Sequence, residues 1–270
     1  IMAAGLSTRF APISYEKPKG VLVVRGEVLV ERQIRQLHEA GIHDITLVVG
    51  YKKEEFFYLA DKLDVDIVVN EEYATRNNNG TLYKVRDRLK NTYICSSDNY
   101  FTSNVFEPYV YEAYYPGVYV EGPTNEWCMQ TGNHERIVKV TYGLVDAWTM
   151  SGHAYFDRRF SQRFVSILHD VYDLPETRDK LWEEIFIDHI RELPMVMRRY
   201  DGATILEFDS LAELQAFDSE FIDNVDSSII DNICAILGCA RRDICNITPI
   251  KQGLTNLSFS FDVGATRYVY

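Results

Sequence analysis

The chain is predicted to be α/β, with a mostly parallel mixed central sheet flanked by helices and a small C-terminal α+β piece. Strand and helix patterns alternate three times in the first hundred residues. Aromatic and β-branched segments with short polar turns, such as Gly117-Val118-Tyr119-Val120, fill residues 115 to 155 and predict antiparallel strands. Acidic residues from Asp218 to Asp226 then mark a change of composition, where a second unit is expected to begin. The 270 residues, 46% hydrophobic and 25% charged, suffice for one large domain and part of another.

Taken in order, Val30, Ile34 and Leu37 stand at i, i+4 and i+7 and predict a helix with one buried face, ending near Gly41. Ile45 to Val49 and Val65 to Val69 read as buried strands, separated by a helix over about 53–63. A helix over about 81–89 leads to a strand over Thr92 to Cys95. Helical periodicity returns over 158–171 and 179–191, followed by strands over 195–199 and 204–208. Ser210, with Glu213 three residues later, is the N-cap of a helix expected to close the first domain, over residues 1–222. Ile229, Ile230, Ile233 and Ile236 make the next segment amphipathic, and residues 223–270 form the second unit.

The opening Ala3-Ala4-Gly5-Leu6-Ser7-Thr8-Arg9-Phe10, closed by Lys17-Pro18-Lys19, has the character of a triphosphate cradle. Small residues after a short apolar strand let backbone N–H groups approach a nucleotide closely, and such turns form anion-binding concavities. Arg9 supplies a planar fork for the departing diphosphate and Lys19 a compact charge for the phosphoryl group under attack. The spacing is neither G-x-x-x-x-G-K-[ST] nor G-x-G-x-x-G. Asp98, after a buried strand, and Asp209, at a later strand end, are candidate ligands for a hard cation such as Mg²⁺. A turn or helix cap is the other reading of each, more so for Asp209, which stands with Ser210 before a helix, and Glu207 is a weaker metal candidate.

The A-A-G-x-x-[ST]-R-F turn followed by P-K resembles the nucleotidyltransferases that activate sugar phosphates and phosphocholine, which implies a Rossmann-like nucleotidyltransferase fold. Over about residues 1–220 the chain is similar to the CTP:phosphocholine cytidylyltransferases. The resemblance implies Mg²⁺-dependent formation of CDP-choline and pyrophosphate from CTP and phosphocholine, in the service of cell-surface phosphocholine decoration. Arg9, Lys19 and Asp98 would be catalytic, Asp98 and Asp209 would hold the metal, and Ala3, Ala4, Gly5, Leu6 and Ser7 would line the nucleotide. Asn78 and Thr81 occupy the place of the family's base-contacting loop, although Asn79-Gly80 is also a turn signal.

The segments around Trp127, Tyr155 and Trp182 resemble those that line the family's choline pocket, which implies an aromatic cage completed by Glu183 or Glu184. A quaternary ammonium has no hydrogen to donate and is held by aromatic faces at ~0.5–2 kcal/mol per contact. These aromatic residues also suit a core, and choline is not separated from ethanolamine. His153 is read as packing, because an anionic phosphate acceptor needs no proton removed.

Residues Gly253-Leu254-Thr255-Asn256 and the alternating Leu257 to Val263 resemble the first hairpin of choline and ethanolamine kinases, or equally a generic hairpin. The kinase catalytic motifs are absent, so no kinase activity is expected, and a chain that begins and ends within strands reads as a fragment.

A net charge of −12 argues against nucleic acid as a partner. The five cysteines include no C-x-x-C pair, which fits a reducing cytoplasm better than a disulfide framework. No apolar run approaches the ~18 residues of a membrane span, and oligomeric state is not encoded in any visible pattern. The alternatives are a sugar-1-phosphate nucleotidyltransferase using UTP or dTTP and a catalytically silent nucleotide-binding module.

Overall fold

The structure is a computed structural model that describes residues 1–250 and 258–270. The expected Gly253-Leu254-Thr255-Asn256 turn lies outside the described residues. The chain divides into two compact units, Ile1–Gly5 with Gln33–Glu207, and Leu6–Arg32 with Phe208–Tyr270. The sequence-derived boundary at 222/223 falls inside the second of these. None of the described helices is long and apolar enough to cross a membrane.

In the first unit, the strands Met2–Ala3, Thr46–Val49 and Asp66–Val69 form a parallel sheet, in register Met2↔Val48 and Thr46↔Asp66. Leu47, Val48 and Val49 are at most 2% exposed, as a strand covered on both faces requires. The backbone of Met2 also bonds Cys95 and Ser97, so the exit of the strand Thr92–Ile94 lies beside it.

A seven-stranded sheet fills the rest of this unit, in the order Ile137–Tyr142, Trp127–Thr131, Val145–Met150, Tyr114–Pro123, Ala154–Phe156, Thr92–Ile94. Val196–Tyr200 joins it parallel to Tyr114–Pro123. Its other pairings are antiparallel, so parallel pairing is concentrated in the N-terminal strands rather than spread through the sheet.

Side chains alternate across a strand, so each strand feeds both faces. One face buries Tyr115, Met129, Ala154, Phe156 and Met197 against Phe160 and Phe164 of the helix Arg158–Val171 and Trp182 and Phe186 of the helix Trp182–Asp188. Burying each large apolar side chain contributes about 1.5–3 kcal/mol. Asp157 caps the longer helix by accepting from Phe160 N–H at 2.9 Å. The opposite face carries Tyr93, Tyr114, His153 and Tyr155, with Phe101 and Phe106 packed edge-on among them.

In the second unit, short helices Thr8–Phe10, Ile13–Glu16 and Lys19–Val21 precede a hairpin, Val23–Val24 with Glu27–Val28, whose Arg25-Gly26 turn has φ of 50° and 81°. The later helices are Leu211–Phe217, Phe221–Asn224 and Ser228–Leu237, and Ser210 caps the first of them as expected. Ile230 and Ile233 are buried, whereas Ile236 is 77% exposed. The strands Ile244–Ile250, Ser258–Val263 and Thr266–Val269 form an antiparallel sheet.

Candidate active site

Residues expected to act on a nucleotide occur in both units, and each unit builds its own group. In the first, the parallel strand delivers Ala3 and Ala4 buried, and the Ala4 carbonyl accepts from Tyr51 N–H at 3.3 Å. Gly5 follows them exposed, and a Cβ placed on it meets nothing within 4 Å. No protein atom demands glycine there, so the bare backbone is free for close approach of a ligand. Gly50 differs, because a Cβ on it would lie 2.7 Å from that of Tyr73.

Asp98 stands immediately before the strand Asn99–Phe101, which pairs antiparallel with Ile205–Glu207 in register Asn99↔Glu207. Asn99 Nδ2 donates to Glu207 Oε2 at 3.4 Å, and Asn99 Oδ1 accepts from Ser96 N–H. Asn99 thus fixes both the turn holding Asp98 and a second carboxylate. The sequence carries no signal for it, because no local pattern encodes the Asn99↔Glu207 pairing.

Asn77, Asn78 and Asn79 begin a helix, Asn78–Lys84, but their side chains turn toward residues 177–183. Asn77 Nδ2 donates to Asp179 O at 2.9 Å, and Asn79 Nδ2 to Thr177 O at 2.9 Å. Asn78 Oδ1 accepts from Trp182 N–H at 2.7 Å, while its Nδ2 donates to Glu183 Oε2 at 3.2 Å. Both ends of the Asn78 amide are therefore engaged within the protein, and a role on the base would have it exchange these partners. Thr81 is 4% exposed and its hydroxyl accepts from Asn70 Nδ2 at 3.3 Å, so it too has a structural partner.

The three aromatics do not form one cage. Tyr155 alternates with Ala154 and Phe156 and so faces away from Trp182, stacking instead near Tyr114 with its hydroxyl on Val110 O. Trp182 is 1% exposed, stacked at 5.9 Å on Tyr115 and edge-on to Phe156, which leaves no open ring face for a ligand. Trp127 is part-exposed, packs against the same core cluster and meets Tyr142 edge-on at 5.5 Å. Glu184 closes the helix N-terminus by accepting from Leu181 N–H at 2.7 Å, as a cap does.

Glu183 has a different environment. Its carboxylate lies between Asn78 and the Tyr115 hydroxyl, 3.5 Å from Oε1. Burial pushes its pKa up to about 7, further aided by the Glu184 charge and opposed by the hydrogen bonds it accepts. Such a group changes charge near neutrality and is suited to meeting a cation.

In the second unit, Leu6 is exposed and Ser7 takes a left-handed φ of 50°, after which its carbonyl accepts from Phe10 N–H at 2.9 Å. Arg9 projects outward and pairs with Asp209 at 2.7 Å. Lys19 is 6% exposed, its ammonium 4.5 Å above the Phe10 ring and donating to Phe208 O. Asp209 N–H is held by Glu213 Oε2 at 2.8 Å. The two cations and the later aspartate, far apart in sequence, are thereby assembled by one unit. Among the described residues no group of three metal-ligating side chains is present.

The MobA-like NTP transferase domain family matches residues 1–107. The choline-phosphate cytidylyltransferase of Streptococcus pneumoniae is 35% identical over 213 residues, covering 79% of this chain and 93% of that protein. The 2-aminoethylphosphonate cytidylyltransferase of Lancefieldella rimae is 34% identical over 226 residues, covering 82% and 92%. The solved structure of the CTP:phosphocholine cytidylyltransferase from Streptococcus pneumoniae superposes with a TM-score of 0.78 at 34% identity, over 81% of this chain and 96% of that one. With this agreement of fold and sequence, the chain belongs to the cytidylyltransferase family of α/β nucleotidyltransferases that includes these choline-phosphate and 2-aminoethylphosphonate enzymes.

Proposed function

We propose that the chain transfers the cytidylyl group of CTP to phosphocholine, giving CDP-choline and pyrophosphate. The observation that carries this reading is the assembly of Arg9, Lys19 and Asp209 in one unit, on a family background of cytidylyltransferases. The phosphate of phosphocholine attacks the α-phosphorus of CTP in line, forming the new P–O bond as the bond to pyrophosphate breaks. The nucleophile is already anionic, so the residues position groups and offset charge rather than move protons. His153 is consistent with that economy: it is buried and uncharged, its pKa lowered to about 3 by burial, with Nε2 against the Tyr114 hydroxyl at 2.7 Å.

Ala3, Ala4, Gly5, Leu6 and Ser7 admit the triphosphate against bare backbone. Lys19 compensates charge on the α-phosphate, and Arg9 leaves Asp209 to hold the departing pyrophosphate. Asp98 and Asp209 are the carboxylates proposed for a divalent cation, Mg²⁺ by the hardness of the donors, with phosphate oxygens and water completing its shell. When bound, that ion would supply charge compensation on the phosphates. Glu183 faces the amine end and Trp127 offers it an aromatic face. The five cysteines are free in the structure, in keeping with a reducing cytoplasm as the compartment. Residues 223–270, with their antiparallel C-terminal sheet, are proposed as the start of a choline-kinase-like unit that has no kinase activity within this chain.

Pyrophosphate release in the presence of Mg²⁺ tests the reading, with CTP, UTP, dTTP and ATP each paired with phosphocholine, phosphoethanolamine, 2-aminoethylphosphonate and glucose-1-phosphate. Release confined to CTP with phosphocholine is expected. Preference for a primary-amine acceptor would move the assignment within the family, and release with the sugar phosphate would return Trp127 to a packing role. CTP binding with no release in any pairing would overturn catalysis.

A further inference from the structure

The segment between Arg9 and Lys19 is anchored by residues from the far end of the chain, all within the second unit. Glu16, directly before Lys17-Pro18-Lys19, accepts at one carboxylate oxygen from Ser228 N–H at 2.8 Å and Ile229 N–H at 3.3 Å. The hydroxyls of Ser227 and Ser228 donate to the same carboxylate. These N–H groups open the ten-residue helix Ser228–Leu237, where free backbone donors and the helix dipole favour an anion. Lys17 pairs with Asp226 at 2.5 Å, just before that helix. Tyr15 donates to Ser258 O at 3.4 Å and its ring lies 6.3 Å from that of Phe259. At the other end of the segment, the strand Ile244–Ile250 packs against Thr8–Phe10, which contains Arg9.

We propose that Glu16 is a positioning residue for the phosphate-binding loop, and that the C-terminal helix Ser228–Leu237 sets the placement of Lys19 through it. The inference rests on the nucleotide-binding role given above to Arg9 and Lys19. Glu16 touches no expected reacting group; it works through the two residues that separate it from Lys19. The helix Ser228–Leu237 is then part of how this chain handles its nucleotide.

The test is calorimetric titration of the full chain with CTP and Mg²⁺, alongside steady-state pyrophosphate release, for wild type, Glu16→Gln, Ser228→Ala and Ile233→Val. Glu16→Gln removes the charge at the helix N-terminus, and Ser228→Ala removes one donor while leaving Ser227 as the cap. Ile233→Val loosens the same helix from its buried side without touching Glu16. Glu16→Gln is expected to lower kcat by about three- to tenfold, Ser228→Ala by a smaller factor in the same direction, with CTP affinity and KM for phosphocholine little changed, because Lys19 is assigned to charge that develops in the transition state. Ile233→Val is expected to lower the unfolding midpoint with kcat unchanged. If kcat is the same in wild type and all three variants, the positioning role is overturned while the functional reading stands. If the loss of kcat merely tracks the unfolding midpoint across the three variants, Glu16 is structural only. Failure of wild type to bind CTP would overturn both.

Discussion

Glu183 offers a direct physical check on the site, because its carboxyl is expected to titrate at about 7 in the folded chain rather than at the model-peptide value of 4.5. Loss of hydration is the dominant cause. The hydrogen bonds from Asn78 and Tyr115 oppose it without cancelling it. Between pH 4.5 and 7 the folded state therefore holds a proton that the unfolded state has released, and stability falls as pH rises through that window. A displacement of about 2.5 pH units at ~1.4 kcal/mol each sets a ceiling of about 3.5 kcal/mol, reached above pH 7. Partial exposure of the residue lowers the expected value to about 1–3 kcal/mol. The perturbation is Glu183→Gln, which keeps the shape and cannot ionise. The assay is denaturant unfolding of wild type and variant from pH 4 to pH 8, taking the difference so that the other titrating groups cancel. Wild type should lose ground to the variant steadily between pH 4.5 and 7 and no further above. A difference that is flat with pH, or that moves in favour of wild type as pH rises, would refute the argument from burial. The same titration should appear in the acceptor: as pH rises toward 7, KM for phosphocholine should fall more steeply in wild type than in Glu183→Gln, where only the substrate's own phosphate titrates, with a second pKa of about 6.

Replacing Lys19 by Met should lower kcat by about 10²-fold or more while KM for CTP changes little, since the ammonium is assigned to charge that develops in the transition state; equal losses in both would remove it from that role. Gly5→Val should raise KM for CTP by about tenfold with the unfolding midpoint held, because open space surrounds the missing Cβ and only a ligand would meet the branched side chain; a stability loss instead would show a packing glycine. Asn78→Ala should destabilise the chain by about 1–3 kcal/mol in denaturant unfolding, since it strips Trp182 N–H and Glu183 of their partner, and should leave the preference for CTP over UTP intact; a relaxed base preference would restore Asn78 to the nucleotide.

The sequence was most legible where a signal is local and periodic. The helical pattern read over 158–171 matches the helix Arg158–Val171, where Phe160, Phe164, Ile167 and Leu168 are the buried face and Asp157 proves to be the cap. Ser210 and Glu213 were equally plain, since a cap depends on neighbours within one turn. Pairing between distant segments was not. Val196–Tyr200 inserts parallel to Tyr114–Pro123, and no period in either strand announces the other.

The candidate site divides along the same line. Arg9 and Lys19 lie within a motif whose spacing carries meaning, whereas Asn78 and Tyr155 depend on which way a side chain points. An asparagine run before a helix can face a base or a neighbouring loop with the same atoms, and here three amides hold residues 177–183 in place. Residues on one strand can sit on opposite faces of the sheet, so Tyr155 and Phe156, adjacent in sequence, belong to different packing clusters. An aromatic cage is a statement about faces and cannot be read from the presence of tryptophan and tyrosine. A carboxylate is easier to judge, because Glu184 meets Leu181 N–H whereas Glu183 meets Asn78 and Tyr115, so of the adjacent pair Glu183 is the one proposed to face the amine.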